Sequence, residues 1–109
     1  MTSKDQLVKQ SENNFIKNLK YEIRLNQNNH YKITSKESEI TYVENVEIVK
    51  MYQVRGVIID QNKVPIIITS KKAVYNNSNY NTNFRENVQI EYMDYKIFAD
   101  KMDLNFQKN

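Results

Sequence analysis

The sequence predicts an all-β domain, and three observations support this. Apolar and polar residues alternate with a period of two along much of the chain, beginning at Leu19, Tyr21, Ile23 and Leu25. That spacing is typical of a strand with one buried face. A short alternating unit recurs three times, at residues 33–40, 68–75 and 97–104. Beyond the first 18 residues, no stretch has the spacing of an amphipathic helix.

The recurring unit places candidates for the inward face at its first, third, sixth and eighth residues. A polar or charged pair, such as Lys36 and Glu37, separates its two halves. We therefore predict a strand, a tight reversal and a second strand for each copy. Because the spacing between copies is unequal, the pattern favours one folded-over sheet over a solenoid.

Length and composition indicate one domain preceded by a short polar leader. The chain has 109 residues, no cysteine and a net charge of +3. We assign residues 1–18 to a leader that is helical or disordered and residues 19–109 to the folded domain. The leader has no apolar run of the length that a secretory signal or membrane span needs, so any anchor would lie upstream of it. Basic residues are interspersed with acidic ones, so no nucleic-acid partner is predicted.

The elements follow one another as short strands and turns. An asparagine-rich turn at 26–30 follows the first strand, and Glu44-Asn45 has the composition of a second turn. The apolar run 54–59 is a strand whose inward face is ambiguous, since Arg55 disfavours one register and Asp60 the other. A turn at 60–63, an inserted loop at 76–83 and a last strand that ends near Phe106 complete the domain.

Gly56, the only glycine in the chain, lies within the apolar run. It has two interpretations. One is structural, a bulge or a place where another group packs closely against the backbone. The other is functional, open space at a wall that faces a ligand or partner.

The residue types that most enzymes need are scarce. His30 is the only histidine and lies in an asparagine-rich turn, so no histidine triad or zinc site can be built. One glycine excludes a glycine-rich phosphate loop. Acidic side chains alternate with Lys and Arg on the polar faces of the strands, and no carboxylate pair stands out. We predict no catalytic residue, no metal site and no cofactor.

The apolar face of the sheet also has two interpretations. It is either the core of a closed sandwich or the lining of a shallower, open interior. Small residues at matching inward positions, Ser35, Ser70 and Ala99, favour the open interior. An interior lined with aliphatic and aromatic residues would accept acyl chains, because burying each methylene contributes roughly 0.8 kcal/mol.

Four motifs in this order resemble the LptC family of periplasmic lipopolysaccharide-export proteins, and more broadly the OstA-type β-jellyroll. They are Tyr31-x-Ile33-Thr34-Ser35, Ile66-x-Ile68-Thr69-Ser70-x-x-Ala73-x-Tyr75, Asn87-Val88-x-Ile90 and Ile97-x-Ala99-Asp100-x-Met102-x-Leu104. Each motif alone is common, and their order and number carry the resemblance. It covers about residues 19–106.

The resemblance implies an open, V-shaped β-jellyroll of two antiparallel sheets whose inside holds the acyl chains of lipopolysaccharide. The inward residues that would line this groove are Tyr21, Ile23, Ile33, Ile48, Ile66, Ile68, Val88, Ile90, Ile97 and Ala99. The end strands would offer unpaired backbone groups to partners, with Leu19, Leu25, Met102, Leu104 and Phe106 as their candidate residues.

The implied partners are lipopolysaccharide, an inner-membrane ABC transporter complex and a periplasmic bridge protein of the same fold, with self-association through the same edges. The implied location is the periplasm, tethered to the inner membrane by a segment that this chain lacks. The chain is then a fragment of a longer protein or a soluble relative such as the bridge protein LptA. Two alternatives to lipid carriage are an interaction module that joins partners by its edges, and a carbohydrate-binding sandwich. The second is the weaker, because tryptophan is absent.

Overall fold

A computed structural model describes residues 15–106 and shows six antiparallel strands. They are β1 (Phe15–Arg24), β2 (His30–Val43), β3 (Val46–Ile59), β4 (Ile66–Asn76), β5 (Thr82–Tyr92) and β6 (Tyr95–Leu104). The strands pair in chain order, and no helix occurs between residues 15 and 106. The predicted all-β class is confirmed. The predicted division into two sheets is not, since hydrogen bonds join all six strands into one open sheet.

The first strand begins earlier than the alternation predicts. Residues 1–14 of the predicted leader lie outside the described residues, whereas Phe15 to Asn18 belong to β1. Asn18 has a positive φ of 56° and no partner in the β1–β2 register. The left-handed residue interrupts the pleat without a shift in register, so the alternation that starts at Leu19 does not extend back to Phe15.

Each of the six strands is irregular near its middle, and the irregularities lie in line across the sheet. Register is interrupted at Asn18, at Lys36 and at Gln53 on the first three strands. Register also shifts by one residue between residues 69 and 72 of β4, and between residues 85 and 88 of β5 opposite β6. We call this line the crease. It divides the sheet into leaf 1, which carries the β1–β2, β3–β4 and β5–β6 turns, and leaf 2, which carries the other two connections.

The two leaves fold face to face about the crease. The Tyr31 hydroxyl on β2 lies 2.7 Å from the Thr82 hydroxyl on β5, although these strands are not neighbours in the sheet. The rings of Tyr21 on β1 and Tyr75 on β4 are 4.8 Å apart. The core therefore lies between the leaves. Its buried hydrophobic residues are Tyr31, Ile33, Val49, Met51, Val54, Ile68, Ala73, Tyr75, Phe84 and Val88.

The recurring unit lies across the crease and is not a chain reversal. Ile33, Ser35 and Ser38 of its first copy are buried and Ile40 is half-buried, so the inward positions are as predicted. The predicted reversal is wrong, because β2 continues through all of them. An interruption of the pleat at the crease changes which face successive residues take, and this produces the same sequence pattern as two strands joined by a turn.

The Glu-Asn pair adopts the same backbone conformation in two different settings. Glu44 and Asn45 have φ of 52° and 68° and form the tight turn between β2 and β3. Glu86 and Asn87 have φ of 68° and 54° but lie inside β5, at the crease. Left-handed conformations suit hairpin turns and bulges alike, and Asn tolerates them well.

Candidate functional site

One row of directly opposed residues crosses all six strands on the inner face of leaf 1. Its members, in strand order, are Tyr21, Ile33, Gly56, Ile68, Ile90 and Ile97. Ile33 and Ile68 have no solvent exposure, Ile90 is half-buried, and Ile97 is 55% exposed. The row thus passes from the closed core to an open apolar surface as it approaches β6.

A second row lies beside the first, nearer the turns. It consists of Ile23, Tyr31, Ile58, Ile66, Tyr92 and Tyr95. Towards the crease, Val88 is opposite Ala99. Nine of the ten residues predicted to line a groove therefore share the inner face of leaf 1.

Ile48 is the exception. It lies on leaf 2 opposite Thr41 and Asn76, and its neighbour Val49 takes the inward position and is fully buried. The tight Glu44–Asn45 turn fixes the pairing of β2 with β3, which sets Ile48 on the outer face. The structure also defines the inward face of the apolar run 54–59, since Val54 and Gly56 are buried and Ile58 packs against the core.

The apolar surface is exposed where leaf 2 does not reach. Contacts between the leaves involve β1, β2 and β3 of leaf 1, through Tyr21, Tyr31 and Gly56. The inner face of β5 and β6 near their turn has no such cover, and Tyr95 is 69% exposed there. We call this surface the open corner. It comprises Ile90, Tyr92, Tyr95 and Ile97.

Away from the open corner, aromatic side chains fill the space between the leaves. Tyr31, Tyr75 and Phe84 are fully buried, and the Tyr21 hydroxyl donates a hydrogen bond to the Glu47 carboxylate. Phe106, which follows β6, packs its ring 5.0 Å from that of Tyr31. Its backbone N–H donates to Asn81 Oδ1 at 2.8 Å. Within residues 15–106 no buried side-chain nitrogen or oxygen lacks a hydrogen-bond partner.

Burial raises the pKa of Tyr31 above the usual range for a phenol. A pKa raised by folding stabilises the protein fully below the unfolded phenol's pKa, near 10, and this stability is lost as pH rises towards the folded value. We expect the free energy of unfolding to fall above pH 10, with Tyr31 contributing about 1.4 kcal/mol per pH unit. Urea denaturation between pH 9 and 11 measures the slope.

Tyr31→Phe should make that alkaline slope shallower, and Tyr95→Phe is the matched control because its ring is mostly exposed. The Tyr31 hydroxyl also meets Thr82, so the variant should lose roughly 1 kcal/mol at neutral pH. Equal alkaline slopes in wild type and Tyr31→Phe would contradict the assignment.

One cavity opens beside the β1–β2 and β3–β4 turns. It measures about 710 Å³ and lies at the turn end of leaf 1. Its lining combines the charged side chains of Glu22, Arg24, Lys32 and Lys63 with the apolar side chains of Ile23, Val57 and Ile59.

β1 and β6 are the two edge strands of the sheet. Leu19 on β1, and Met102 and Leu104 on β6, pack against the core from these edges. Leu25 and Phe106 lie just beyond the ends of the two strands and also contact the core. All five predicted edge residues therefore lie on or beside an edge strand, with their side chains directed inward.

The predicted groove residues did not include the inward residues of leaf 2. Met51, Tyr75 and Phe84 face the inner side of leaf 1, and Tyr31 of leaf 1 was also left out of the predicted groove. The recurring unit does place Tyr75, the eighth residue of its second copy, among the inward candidates. Phe84 and Met51 lie outside the units and had no comparable signal.

The described residues contain no group of histidine, aspartate and glutamate side chains that could hold a metal ion. Between residues 15 and 106, no helix has the length and apolar character needed to cross a membrane.

Comparison with known proteins gives a family match that spans residues 2–108. The family is described as "Lipopolysaccharide-assembly, LptC-related". No curated protein and no solved structure matches the chain. Membership of this family implies a role in lipopolysaccharide transport at the periplasmic side of the inner membrane, and the family is not a known enzyme family. The family match, together with the all-β sheet found here, shows that the chain belongs to the LptC-related family of lipopolysaccharide-assembly proteins.

Proposed function

We propose that this protein is a lipopolysaccharide-transport module that holds acyl chains on the inner face of leaf 1 and passes them to like-folded partners. The observation that carries the proposal is the apolar row from Tyr21 to Ile97, which crosses the whole sheet and emerges at the open corner. An acyl chain laid on this surface would bury methylenes, at roughly 0.8 kcal/mol each. The sugar portion would stay in water.

The open corner is the entry point in this proposal. Ile90 and Ile97 offer apolar surface there without displacement of any core residue. Deeper entry between the leaves would require Phe106 to leave Tyr31. That contact consists of one ring pair and one hydrogen bond from the Phe106 backbone to Asn81.

The unpaired edges of β1 and β6 supply the contacts to partners. We propose that they add strands from a periplasmic bridge protein of the same fold and from the inner-membrane transporter complex. The energy for transport comes from the ATPase of that complex. A segment outside this chain tethers the protein to the inner membrane.

A second candidate is an interaction module that joins partners through its edges and carries no lipid. The filled interior favours it, since Tyr31, Tyr75 and Phe84 lie between the leaves and have no solvent exposure. Both candidates share the edge contacts. They differ at the open corner, where only the first places acyl chains.

Site-specific photocrosslinking separates the two candidates. A photoreactive residue at Ile97 should capture lipopolysaccharide, because this side chain is exposed on the inner face. The matched control is Phe98, the next residue on the same edge strand, which is 70% exposed on the outer face. We expect capture at Ile97 to exceed capture at Phe98 by tenfold or more.

Equal capture at the two positions would exclude the inner face as the acyl site. Capture at Ile97 of a partner protein and no lipopolysaccharide would favour the interaction module. A thermal denaturation curve for each labelled protein shows that both remain folded, and little loss is expected because both side chains are exposed.

A further inference from the structure

Three basic residues lie directly opposite one another on the outer face of leaf 2. Lys72 on β4 is opposite Arg85 on β5, which is opposite Lys101 on β6. Like charges in directly opposed positions destabilise a sheet. Two ion pairs offset this in part: Lys72 Nζ to Glu86 at 3.3 Å, and Arg85 to Asp103 at 2.7 Å. Hydrogen bonding from Arg85 lowers the pKa of Asp103, which keeps that carboxylate ionised.

Two further lysines extend the row into a basic patch. Lys50, Lys72 and Arg85 line a groove of about 270 Å³, and Lys71, Arg85 and Lys101 line an adjoining depression of about 630 Å³. We call these five residues the basic patch. Within residues 15–106, Lys50, Lys71 and Lys101 have no carboxylate within 4.0 Å.

The acidic side chains nearby neutralise the basic patch only in part. Glu86 and Asp103 each pair with one cation, Asp100 lines the larger depression, and Glu39 on β2 is directly opposite Lys50. Five cations thus meet four carboxylates, with a net charge of +1. An arrangement that gathers like charges at a cost in stability is explained by an anionic partner.

We propose that the basic patch docks the protein on the surface of an anionic phospholipid bilayer. A cluster of this size attracts anionic headgroups through charge and needs no close complementarity of shape. The patch covers the outer face of four adjacent strands, roughly 14 Å across at the usual strand spacing. It faces away from the apolar row, so the proposal does not depend on lipid carriage.

A protein partner is disfavoured by the composition of the patch. Protein interfaces are depleted in lysine and centre on exposed aromatic or arginine anchors, whereas four of the five patch residues are lysines and Arg85 is paired with Asp103. Among the large hydrophobic residues of the patch and its grooves, Val74 alone is more than a third exposed, at 38%. Tyr52, which lines the smaller groove, is half-buried.

Vesicle flotation with the full chain tests the proposal. Phosphatidylglycerol vesicles should bind the protein at low salt, and phosphatidylcholine vesicles should not. The triple variant Lys50→Gln, Lys71→Gln, Lys101→Gln should bind phosphatidylglycerol on the order of 100-fold more weakly, at about fivefold for each cation removed. Its matched control is Lys20→Gln, Lys32→Gln, Lys96→Gln, which removes the same charge from the outer face of leaf 1.

Unchanged binding by the first variant, or equal losses in both variants, would overturn the proposal. So would equal binding to the two kinds of vesicle. Full competition by millimolar inorganic phosphate or glycerol phosphate would identify a site for the isolated phosphate group instead of a bilayer surface. Association of the protein with itself in place of vesicles would identify a second copy as the partner. Matching urea midpoints show that both variants are folded.

Discussion

Replacing Phe84 with alanine is expected to lower the free energy of unfolding by about 3–5 kcal/mol. Phe84 lies on leaf 2, is fully buried, and packs against Gly56 of leaf 1. Its removal leaves a cavity at the contact between the leaves. The leaves could close this cavity only by rotating towards each other about the crease. Urea denaturation followed by circular dichroism measures the loss.

Phe98→Ala is the matched control for that measurement. It removes the same side chain from a strand of the same sheet, at a position that is mostly exposed on the outer face. We expect a change within about 0.5 kcal/mol. A loss at Phe84 no greater than that at Phe98 would mean that the leaves do not pack through this ring.

Replacing Gly56 with valine is expected to destabilise the fold by about 1–3 kcal/mol through overpacking. A Cβ atom at Gly56 would lie 3.1 Å from Phe84 Cζ and 3.5 Å from Tyr31 Cε1, and the methyl groups of valine reach further. The backbone is not the obstacle, because Gly56 does not have a positive φ. The close-packing interpretation of this glycine therefore fits the structure better than open space.

Coupling between the two positions distinguishes crowding from a general loss of strand stability. Phe84→Leu removes the ring atoms that a side chain at Gly56 would meet. In that background, Gly56→Val should cost less than in the wild type, with a coupling free energy of about 0.5–3 kcal/mol. Strictly additive losses would show that the valine acts through something other than the Phe84 ring.

Much of the fold could be predicted from the alternation of residue types, but the path of the chain could not. In β2 the inward positions Ile33, Ser35 and Ser38 follow from the layout of the recurring unit. Whether the chain reverses or continues between Ser35 and Ser38 depends on backbone angles at Lys36 and Glu37, which many residue types permit. Neither residue is Gly, Pro, Asn or Asp, so the pattern carried no strong turn signal to decide it.

The face on which a candidate site residue lies was predictable where the alternation of its own strand decides it. It was less predictable where several elements decide it together. Ile33 and Ile68 lie on the inner face because their own strands alternate. Ile48 lies on the outer face because a turn elsewhere fixes its register. Exposure of Ile97 depends on how far leaf 2 extends over leaf 1, which is a tertiary property that no local pattern records.

The even number of strands in the sheet determines how modules of the same fold can join through their edges. Five successive antiparallel pairings separate β1 from β6, so these two rims run in opposite directions. A copy shifted sideways without rotation would therefore set its β1 antiparallel to the β6 of its neighbour, the slightly more stable pairing. Repetition of that shift generates an open-ended row. A module with an odd number of strands would have to turn over at every junction or accept parallel pairing.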